Sequence, residues 1–494
     1  MTLANELAYC SLTELTRKIS QRELSPVEVI NAFIDRVEAR NPSLNAFVCQ
    51  DFERAREEAQ IAEKQLMAGD ALGPLHGIPV AIKDLFSSKP GTPMTMGGVR
   101  ALKDNITQHR CIFTERIEQA GAIVIGKTNS PVMGFRGTCD NYLFGPSQNP
   151  FCPTKNTGGS SGGAAAAVAD GMLPLAEGTD GGGSIRTPAS WCGVYGYKAA
   201  YGRIPSLSRP NAFASDTPFF FSGPITRTVE DAALALNALA GYHPRDPYSI
   251  DDDTDFLPAV TRSIRDWKIA YSPDLDVFPV DPRVSKVVEA QVKAFEEEGA
   301  NIEEVKIGIG RPQQELSDLW CRLIIPRNIT TLEAVKVSGP DLLGEHHHDF
   351  PAEYLRWIRV GQHLSAVDFY KDQEIRTEIY DAIQSVLNDY DLLVTPTLAC
   401  LPVDNSNDGN TLGPSEINGE PVDPLIGWCL TYLFNFTGHP AASIPAGLSE
   451  DGLPVGMQII GRRYADADVL AASAAFERLR PWQESYRQCA ERVL

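Results

Sequence analysis

Apolar positions near the start of the chain recur at helical spacing. Behind residue 26 they lie mostly three or four positions apart, at Val27, Ile30, Phe33, Ile34 and Val37. Ser25-Pro26-Val27-Glu28 places an N-cap serine, a first-turn proline and a capping-box glutamate ahead of this face. We therefore predict a helix to about Asn41-Pro42, a second, charged helix over about 51–67, and a helical N-terminal region over about 10–68.

The pattern then changes to short β-branched runs of the kind found in buried strands. Early runs lie at Ile78–Ile82 and Ala122–Ile125, and late ones at Leu392–Val394, Ala441–Ile444 and Val455–Ile460. The divergent stretch between them, about 265–390, is more charged and predicts helices, including Val287–Glu298 and Phe369–Leu387. Alternating strands and helices predict an α/β fold whose sheet is covered by helices on both faces. Late strands rejoining an early sheet predict a single domain over residues 1–494.

Composition narrows the functional classes. The 44 basic and 64 acidic side chains give a net charge of −20, which repels a phosphate backbone. The first residues carry no basic segment ahead of an apolar stretch, and no apolar run reaches the roughly 18 residues that a membrane span needs. We expect a soluble, cytoplasmic protein that binds neither nucleic acid nor a membrane.

Three motifs suggest ligands, but their context argues against them. The ten cysteines form no C-x-x-C pair and predict reduced thiols. Glu345-His346-His347-His348-Asp349 offers ligand atoms, but consecutive side chains rarely converge on one metal, and we interpret it as a solvated loop of undetermined role. Gly121–Thr128 matches a phosphate-binding loop, yet its four middle residues read as a strand, so we predict no nucleotide site and no metal.

Two serines lie in glycine-rich segments. One segment is Gly158-Gly159-Ser160-Ser161-Gly162-Gly163, and the other runs from Gly178 through Asp180-Gly181-Gly182-Gly183-Ser184 to Pro188. Glycine permits unusual backbone angles and lets a substrate approach the main chain. Free N–H groups next to a serine can stabilise the oxyanion of acyl transfer.

A serine nucleophile needs a group that takes its proton, and the sequence favours lysine for that role. Neither serine segment has a histidine close to it in sequence. Lys83 ends the apolar run Val80-Ala81-Ile82, where burial would lower the pKa of its amine towards that of a working base. The residues alone therefore indicate a lysine-assisted serine hydrolase.

Taken together, the lysine run and the two serine segments resemble the amidase signature family. The stretch 158–189 is similar to the signature motif throughout, and Ser160 and Ser184 stand 24 positions apart, as in the family. Pro74–Asp84 resembles the family's lysine strand, and 121–129, 435–440 and 452–458 are also similar. The resemblance covers about residues 10–480 and is weak over about 265–390.

The resemblance implies a mixed central β-sheet and a Ser-cisSer-Lys triad that needs no cofactor. Lys83 would take a proton from Ser160, which follows a cis peptide bond, and Ser160 would take one from the nucleophile Ser184. The substrate would be a small amide, anilide or carbamate, cleaved through an acyl-enzyme to acid and amine. Main-chain N–H groups would form the oxyanion hole, at Gly181, Gly182, Gly183 and Ser184.

Other residues are expected to support the triad or to line the substrate pocket. Ser161 is expected to support the relay, and Asp180 is expected to pair with Arg186 to fix the loop. Gly134, Phe135 and Cys321 are candidates for the substrate pocket. The family commonly has a larger residue, often threonine, at the position of Gly181, and we expect the glycine to widen the pocket floor and alter substrate preference.

Two other functions stay open. One is the glutaminase subunit of a tRNA-dependent amidotransferase, which would need a partner protein; the departures at Gly181, Tyr197, Ala199 and Ala200 favour a free-standing amidase instead. The other is a catalytically silent binding protein on the same fold, although all three catalytic positions are filled. Relatives are often homodimers, so a homodimer is possible; the sequence fixes neither the oligomeric state nor the particular substrate.

Overall fold

A mixed sheet runs through the whole molecule. The computed structural model describes residues 2–492. The strands, in chain order, are β1 (Phe47–Gln50), β2 (Pro79–Lys83), β3 (Ile123–Thr128), β4 (Leu175–Asp180), β5 (Tyr195–Lys198), β6 (Phe221–Thr226), β7 (Lys268–Tyr271), β8 (Asn301–Glu304), β9 (Leu392–Pro396), β10 (Glu416–Ile417), β11 (Glu420–Pro421), β12 (Ala441–Leu448) and β13 (Pro454–Gly461). Eleven of them pair in the order β1-β3-β2-β4-β6-β5-β12-β13-β9-β7-β8, while β10 and β11 form a separate hairpin.

Helices cover both faces of this sheet. In chain order they are α1 (Leu3–Leu7), α2 (Leu12–Ser20), α3 (Pro26–Leu44), α4 (Phe52–Ala68), α5 (Ile112–Gln119), α6 (Gly162–Ala169), α7 (Arg186–Trp191), α8 (Val229–Leu239), α9 (Pro282–Val292), α10 (Ala294–Glu297), α11 (Gln313–Lys336), α12 (Ala352–His363), α13 (Ala366–Asp389), α14 (Leu433–Thr437), α15 (Asp466–Leu479) and α16 (Arg487–Ala490). In the described part of the chain, no helix is both long and apolar enough to cross a membrane.

Most of the elements predicted from the pattern are present. The capping box at Ser25 starts α3, which continues two residues beyond the predicted end to Leu44. The predicted charged helix is α4, and the five apolar runs are β2, β3, β9, β12 and β13. The predicted helix over 287–298 is instead divided between α9 and α10. The α/β fold with a mixed central sheet is confirmed.

The prediction for residues 265–390 is incomplete. Helices α11 to α13 dominate this stretch, as expected, but β7 and β8 join the end of the sheet beside β9. Strand β8 is the edge strand, and three of its four residues are exposed. A short, charged, exposed strand carries none of the apolar signal by which buried strands are recognised.

The sheet brings the two catalytic segments to one edge. Strands β2 and β4 are parallel neighbours, paired at Val80 with Leu175, so their carboxyl ends lie side by side. Lys83 ends β2 and Asp180 ends β4. The segment before α6 carries Ser160, and the segment before α7 carries Ser184. The topology therefore places these residues within reach of one another.

Candidate active site

Lys83 is fully buried and surrounded by three hydroxyl groups. Its Nζ lies 2.6 Å from the Ser160 Oγ, 3.0 Å from the Ser161 Oγ and 2.9 Å from the Thr179 Oγ1. No ion pair of Lys83 with a carboxylate occurs within residues 2–492. An amine that contacts only neutral hydroxyls loses its hydration and gains no counterion.

This environment lowers the pKa of Lys83 to about 7, chiefly through burial. The Glu177 carboxylate opposes the shift, but its Oε2 accepts the Lys83 backbone N–H at 3.0 Å and not the side-chain amine. Glu177 is also buried, which raises its own pKa to about 7. A substantial fraction of Lys83 is therefore neutral near pH 7 and able to accept a proton.

Ser160 and Ser161 are held against this amine by their own backbone. The Gly159–Ser160 peptide bond is cis, as the resemblance implies. The Ser161 hydroxyl also receives the Thr179 backbone N–H at 3.2 Å, and the Ser161 N–H donates to the Ser184 carbonyl oxygen at 3.1 Å. Ser161 thus connects the lysine to both segments, a position that suits the supporting role predicted for it.

The loop of residues 181–185, here called the nucleophile loop, is anchored by a buried ion pair. Asp180 receives the Arg186 Nη2 at 2.9 Å and Nε at 3.0 Å, and both side chains are fully buried. Asp180 also accepts the Ile185 N–H at 3.2 Å and the Asn435 Nδ2 at 2.8 Å. Against the effect of burial, Arg186 lowers the pKa of Asp180 to about 2. The charges therefore fix both ends of the loop, which is the arrangement predicted for this pair.

Two side chains hold the carbonyl groups of the nucleophile loop. The Gly181 oxygen accepts the Trp320 Nε1–H at 2.8 Å, and the Gly182 oxygen accepts the Thr431 hydroxyl at 2.7 Å. A trans peptide places its C=O and N–H on opposite sides. The N–H groups of Gly182 and Gly183 consequently point away from these two side chains.

The N–H groups of this loop are not equivalent. Gly183 donates its N–H to the Asp180 Oδ1 at 2.7 Å, so this donor is already occupied. Within residues 2–492, the N–H groups of Gly181, Gly182 and Ser184 have no acceptor. The structure thus leaves three of the four predicted donors available to an oxyanion, and it gives Gly183 a structural function.

Ser184 is half-buried, whereas the other two residues of the predicted triad are almost completely buried. Its hydroxyl forms no hydrogen bond within the described residues, and in particular none with Ser160. The two atoms of the predicted first step, the Ser160 Oγ and the Lys83 Nζ, are in hydrogen-bond contact, while the predicted step from Ser184 to Ser160 requires the two hydroxyls to approach. Catalytic hydrogen bonds are often long before substrate binds.

Of the predicted pocket residues, Gly134 lies beside Ser160, Phe135 packs on Trp320, which binds the nucleophile loop, and Cys321 lies in the core. A Cβ on Gly134 would lie 3.1 Å from the Ser160 Oγ, so only glycine leaves that hydroxyl uncrowded. Phe135 packs against Trp320 and Tyr354, with ring centroids 5.4 and 4.9 Å apart. Cys321 is fully buried among the apolar side chains of the helical region. Its neighbour Trp320, also on α11, donates a hydrogen bond to the nucleophile loop.

The space expected at Gly181 is taken by aromatic and aliphatic side chains. A Cβ at this position would lie 3.0 Å from the Phe220 ring and 3.7 Å from the Ile324 Cδ1. The pocket floor is thus not widened as expected, because Phe220 fills the space that a side chain at residue 181 would use. A threonine here would require Phe220 to move.

Several residues of the site are not predicted from the sequence. Trp320, Thr431 and Asn435 contact the nucleophile loop from distant segments, and no local pattern identifies them. Thr179 and Glu177 lie on β4 within the signature motif. Alternation along that strand could have placed them on one face of the sheet, but not beside Lys83.

The alternative ligand motifs are structural. In the run 345–349, Glu345 is exposed and Asp349 is buried. The Asp349 carboxylate accepts the Arg100 Nε at 2.8 Å and the Ala101 N–H at 2.8 Å, so it is paired with an arginine. Residues 123–128 of the phosphate-loop pattern form β3. The described residues contain no cluster of three or more histidine, cysteine, aspartate or glutamate side chains that could hold a metal ion.

Comparison with known proteins agrees with this geometry. Residues 28–470 match the family model described as Amidase. An acylamidase of Rhodococcus erythropolis is 39% identical over 484 residues, 97% of each chain. The crystal structure of a bacterial aryl acylamidase of the amidase signature family superimposes with a TM-score of 0.97 at 47% identity, covering 99% of this chain and 100% of that one.

A more distant relative has a different role. It is one of the subunits of the glutamyl-tRNA(Gln) amidotransferase of Moorella thermoacetica, and it is 34% identical over 490 residues, 96% of this chain and 97% of its own. The chain belongs to the amidase signature family. It is a hydrolase of carbon–nitrogen bonds in small amides other than peptides.

Proposed function

We propose that the chain hydrolyses acyl arylamides through an acyl-enzyme on Ser184. Neutral Lys83 accepts the proton of Ser160, Ser160 accepts that of Ser184, and the Ser184 Oγ attacks the carbonyl carbon. The observation that carries this proposal is the contact of 2.6 Å between the buried Lys83 Nζ and the Ser160 Oγ. Without a nearby base, a serine hydroxyl is a poor nucleophile.

The remaining steps return the proton to the substrate. The tetrahedral oxyanion is stabilised by the N–H groups of Gly181, Gly182 and Ser184, whose carbonyl neighbours are already held by the protein. The proton on Lys83 then passes back through Ser160 to the amine nitrogen as the carbon–nitrogen bond breaks. Water, deprotonated by the same two groups, attacks the ester and releases the acid and Ser184.

An aromatic leaving group suits the surroundings of the nucleophile loop. Phe135, Trp320 and Tyr354 form a ring cluster on one side of the loop, and Phe220 packs against Gly181. Aromatic rings favour flat apolar groups through offset or edge contacts. The resemblance to an aryl acylamidase at 47% identity points to the same class of substrate. Aliphatic amides, cyclic amides, carbamates and peptide-end amides are the alternatives.

Hydrolysis of a small substrate panel tests this proposal. We expect the purified chain alone to release 4-nitroaniline from 4-nitroacetanilide with a kcat/KM at least about tenfold above that for acetamide or glutamine, a difference of about 1.4 kcal/mol in transition-state stabilisation. Ser184→Ala, checked for folding by circular dichroism, is the matched control and should be inactive. A preference for glutamine that appears only with a second protein would favour the amidotransferase role instead.

Other properties follow from the same proposal or stay predictions from the sequence. We propose that residues 1–494 form one amidase signature domain, because one sheet takes its strands from residues 47–461. A cytoplasmic location, the lack of a nucleic-acid partner and a homodimeric state stay predictions. Sedimentation of the purified chain would test the last of these.

A further inference from the structure

One arginine-lined cavity of the described chain is separate from the active site. It has a volume of about 670 Å³ and lies between α11, α13 and the segments around residues 211–219 and 436–437. None of Lys83, Ser160 and Ser184 lines it. We call it the arginine cavity, because its charged lining consists of three arginines and one aspartate, at Asp216, Arg327, Arg376 and Arg463.

The three arginines of this cavity, of which Arg376 is buried and the other two are partly buried, lack carboxylate partners. Within residues 2–492, none of the three forms an ion pair. Arg376 donates only to neutral oxygens, including the Phe436 carbonyl at 2.6 Å and the Asp216 carbonyl at 2.8 Å. The Asp216 carboxylate is engaged elsewhere, with the Tyr248 hydroxyl at 3.1 Å and the Thr217 hydroxyl at 3.0 Å. Such an excess of positive charge is unexpected in a chain with a net charge of −20.

Arg327 has the fewest partners of the three. Its guanidinium lies over the Phe220 ring, 4.4 Å from the centroid, and makes no hydrogen bond within the described residues. Burial lowers its pKa to about 10, which leaves it charged at neutral pH. The Arg327 side chain is only partly buried, so its guanidinium nitrogens remain open to a ligand, and an anion that supplies two acceptor oxygens can bind them as a fork.

Two further buried donors also lack acceptors. The Arg463 Nε and the Gln373 Nε2 are buried without a hydrogen-bond partner within residues 2–492, and both residues line the cavity. Buried donors without acceptors are rare in folded proteins, and each calls for a partner. Two nitrogens on lining residues are therefore left without an acceptor, in addition to the Arg327 guanidinium.

Aromatic side chains form a second part of the lining. Six phenylalanine and tyrosine side chains face the cavity, at Phe213, Phe219, Phe369, Tyr370, Tyr380 and Phe436. Of these, Phe213 and Tyr370 are well exposed, at 62% and 73% of their surface, which is unusual for large hydrophobic side chains. A phosphate ion would leave these rings without contacts, whereas an aryl group would cover them.

We propose that the arginine cavity is a binding site for a small aromatic carboxylate. The carboxylate accepts hydrogen bonds from Arg327, beside the charges of Arg376 and Arg463, and the aryl group packs among the phenylalanine and tyrosine rings. None of the three catalytic residues lines this site. It adds a ligand that is chemically an acid, not an amide.

Titration of the full-length Ser184→Ala chain with 4-iodobenzoate tests the proposal by calorimetry. We expect saturable binding that weakens about tenfold to a hundredfold in the Arg327→Met background, the effect of losing one charge-assisted hydrogen bond. Arg359→Met removes the same charge from an exposed position of α12 outside the arginine cavity and should leave the affinity unchanged. Neutral 4-iodobenzamide should bind at least about tenfold more weakly.

Iodine anomalous scattering from crystals soaked with 4-iodobenzoate would locate the ligand. The proposal predicts a signal beside Arg327. A signal only beside Ser184, equal affinity with and without Arg327, no saturation in the millimolar range, or preferential binding of inorganic phosphate would each overturn it. Because the Arg327 guanidinium has no hydrogen bond to lose within residues 2–492, its variant should fold. If it does not, Arg463→Gln provides the second test.

Discussion

Replacing Lys83 with alanine should lower kcat by about 10⁴-fold or more while the chain stays folded, because in a serine enzyme the loss of the base costs nearly as much as the loss of the nucleophile. The buried amine is the only ionisable group that contacts the Ser160 hydroxyl within residues 2–492. Steady-state hydrolysis of 4-nitroacetanilide measures the effect, with circular dichroism as the check on folding. A variant that retains more than a tenth of the activity would contradict the assignment.

The three hydroxyls around Lys83 offer matched controls. Ser160→Ala removes the predicted relay and should cost nearly as much as Lys83→Ala. Ser161→Ala and Thr179→Val each remove one contact, of 3.0 and 2.9 Å, without interrupting the proton path. We expect each of these two to cost about tenfold to a hundredfold, as the loss of one orienting hydrogen bond does. Equal losses in all four variants would indicate collapse of the site and not a relay.

Replacing Arg186 with methionine should destabilise the fold by about 3–5 kcal/mol, because it leaves the Asp180 carboxylate buried without its counterion. Arg186 also donates to the Thr431 carbonyl at 2.9 Å, the Gln458 side chain at 2.6 Å and the Asn435 side chain at 2.7 Å. The change in the free energy of unfolding can be measured by urea denaturation. Activity should fall as well, since the nucleophile loop loses its anchor.

A surface ion pair of the same geometry supplies the control for Arg186. Arg311 binds Glu378 through two parallel hydrogen bonds of 2.9 and 2.8 Å and also contacts Glu315 at 2.8 Å, but its side chain is 32% exposed and that of Glu378 is 55% exposed. Arg311→Met should therefore cost at most about 1 kcal/mol. Equal costs for the two arginine variants would show that burial is not what makes the Asp180 pair important.

The stability of Asp180→Asn should depend on pH. Its free energy of unfolding should approach that of the native chain as the pH falls from 3.8 towards about 2, where the native carboxylate becomes protonated.

The sequence predicts the local parts of this site better than the contacts between them. The strand before Lys83 and the glycine-rich segments around Ser160 and Ser184 each carry their signal within a few residues. Trp320 and Thr431, by contrast, are 139 and 249 positions away from the glycine carbonyls that they hold. No single-sequence pattern encodes a contact over such a separation, so these supports become visible only in the fold.

Three details of the site differ from the sequence prediction because they depend on distant contacts or on how the chain turns: the Gly183 N–H, the space beside Gly181 and the position of Cys321. Occupation of the Gly183 N–H by Asp180 depends on how the loop folds back, with Gly183 at a φ of 125°. The space beside Gly181 is filled by Phe220, which immediately precedes β6 and is brought to the loop only by the fold. The prediction of Cys321 as a pocket residue rests on the divergence of its segment, but the periodicity of α11 turns Trp320 towards the site and Cys321 into the core.

Labelling of Ser184 by a fluorophosphonate at a series of pH values tests the central claim most directly. The account predicts a single adduct, on Ser184, whose rate of formation rises with pH through about 7 and then levels off, because Lys83 accepts a proton only above its pKa. In Lys83→Ala the rate should be lower by at least about a thousandfold and should lose this inflection. An adduct on another residue, or an unchanged rate and pH profile without Lys83, would contradict it.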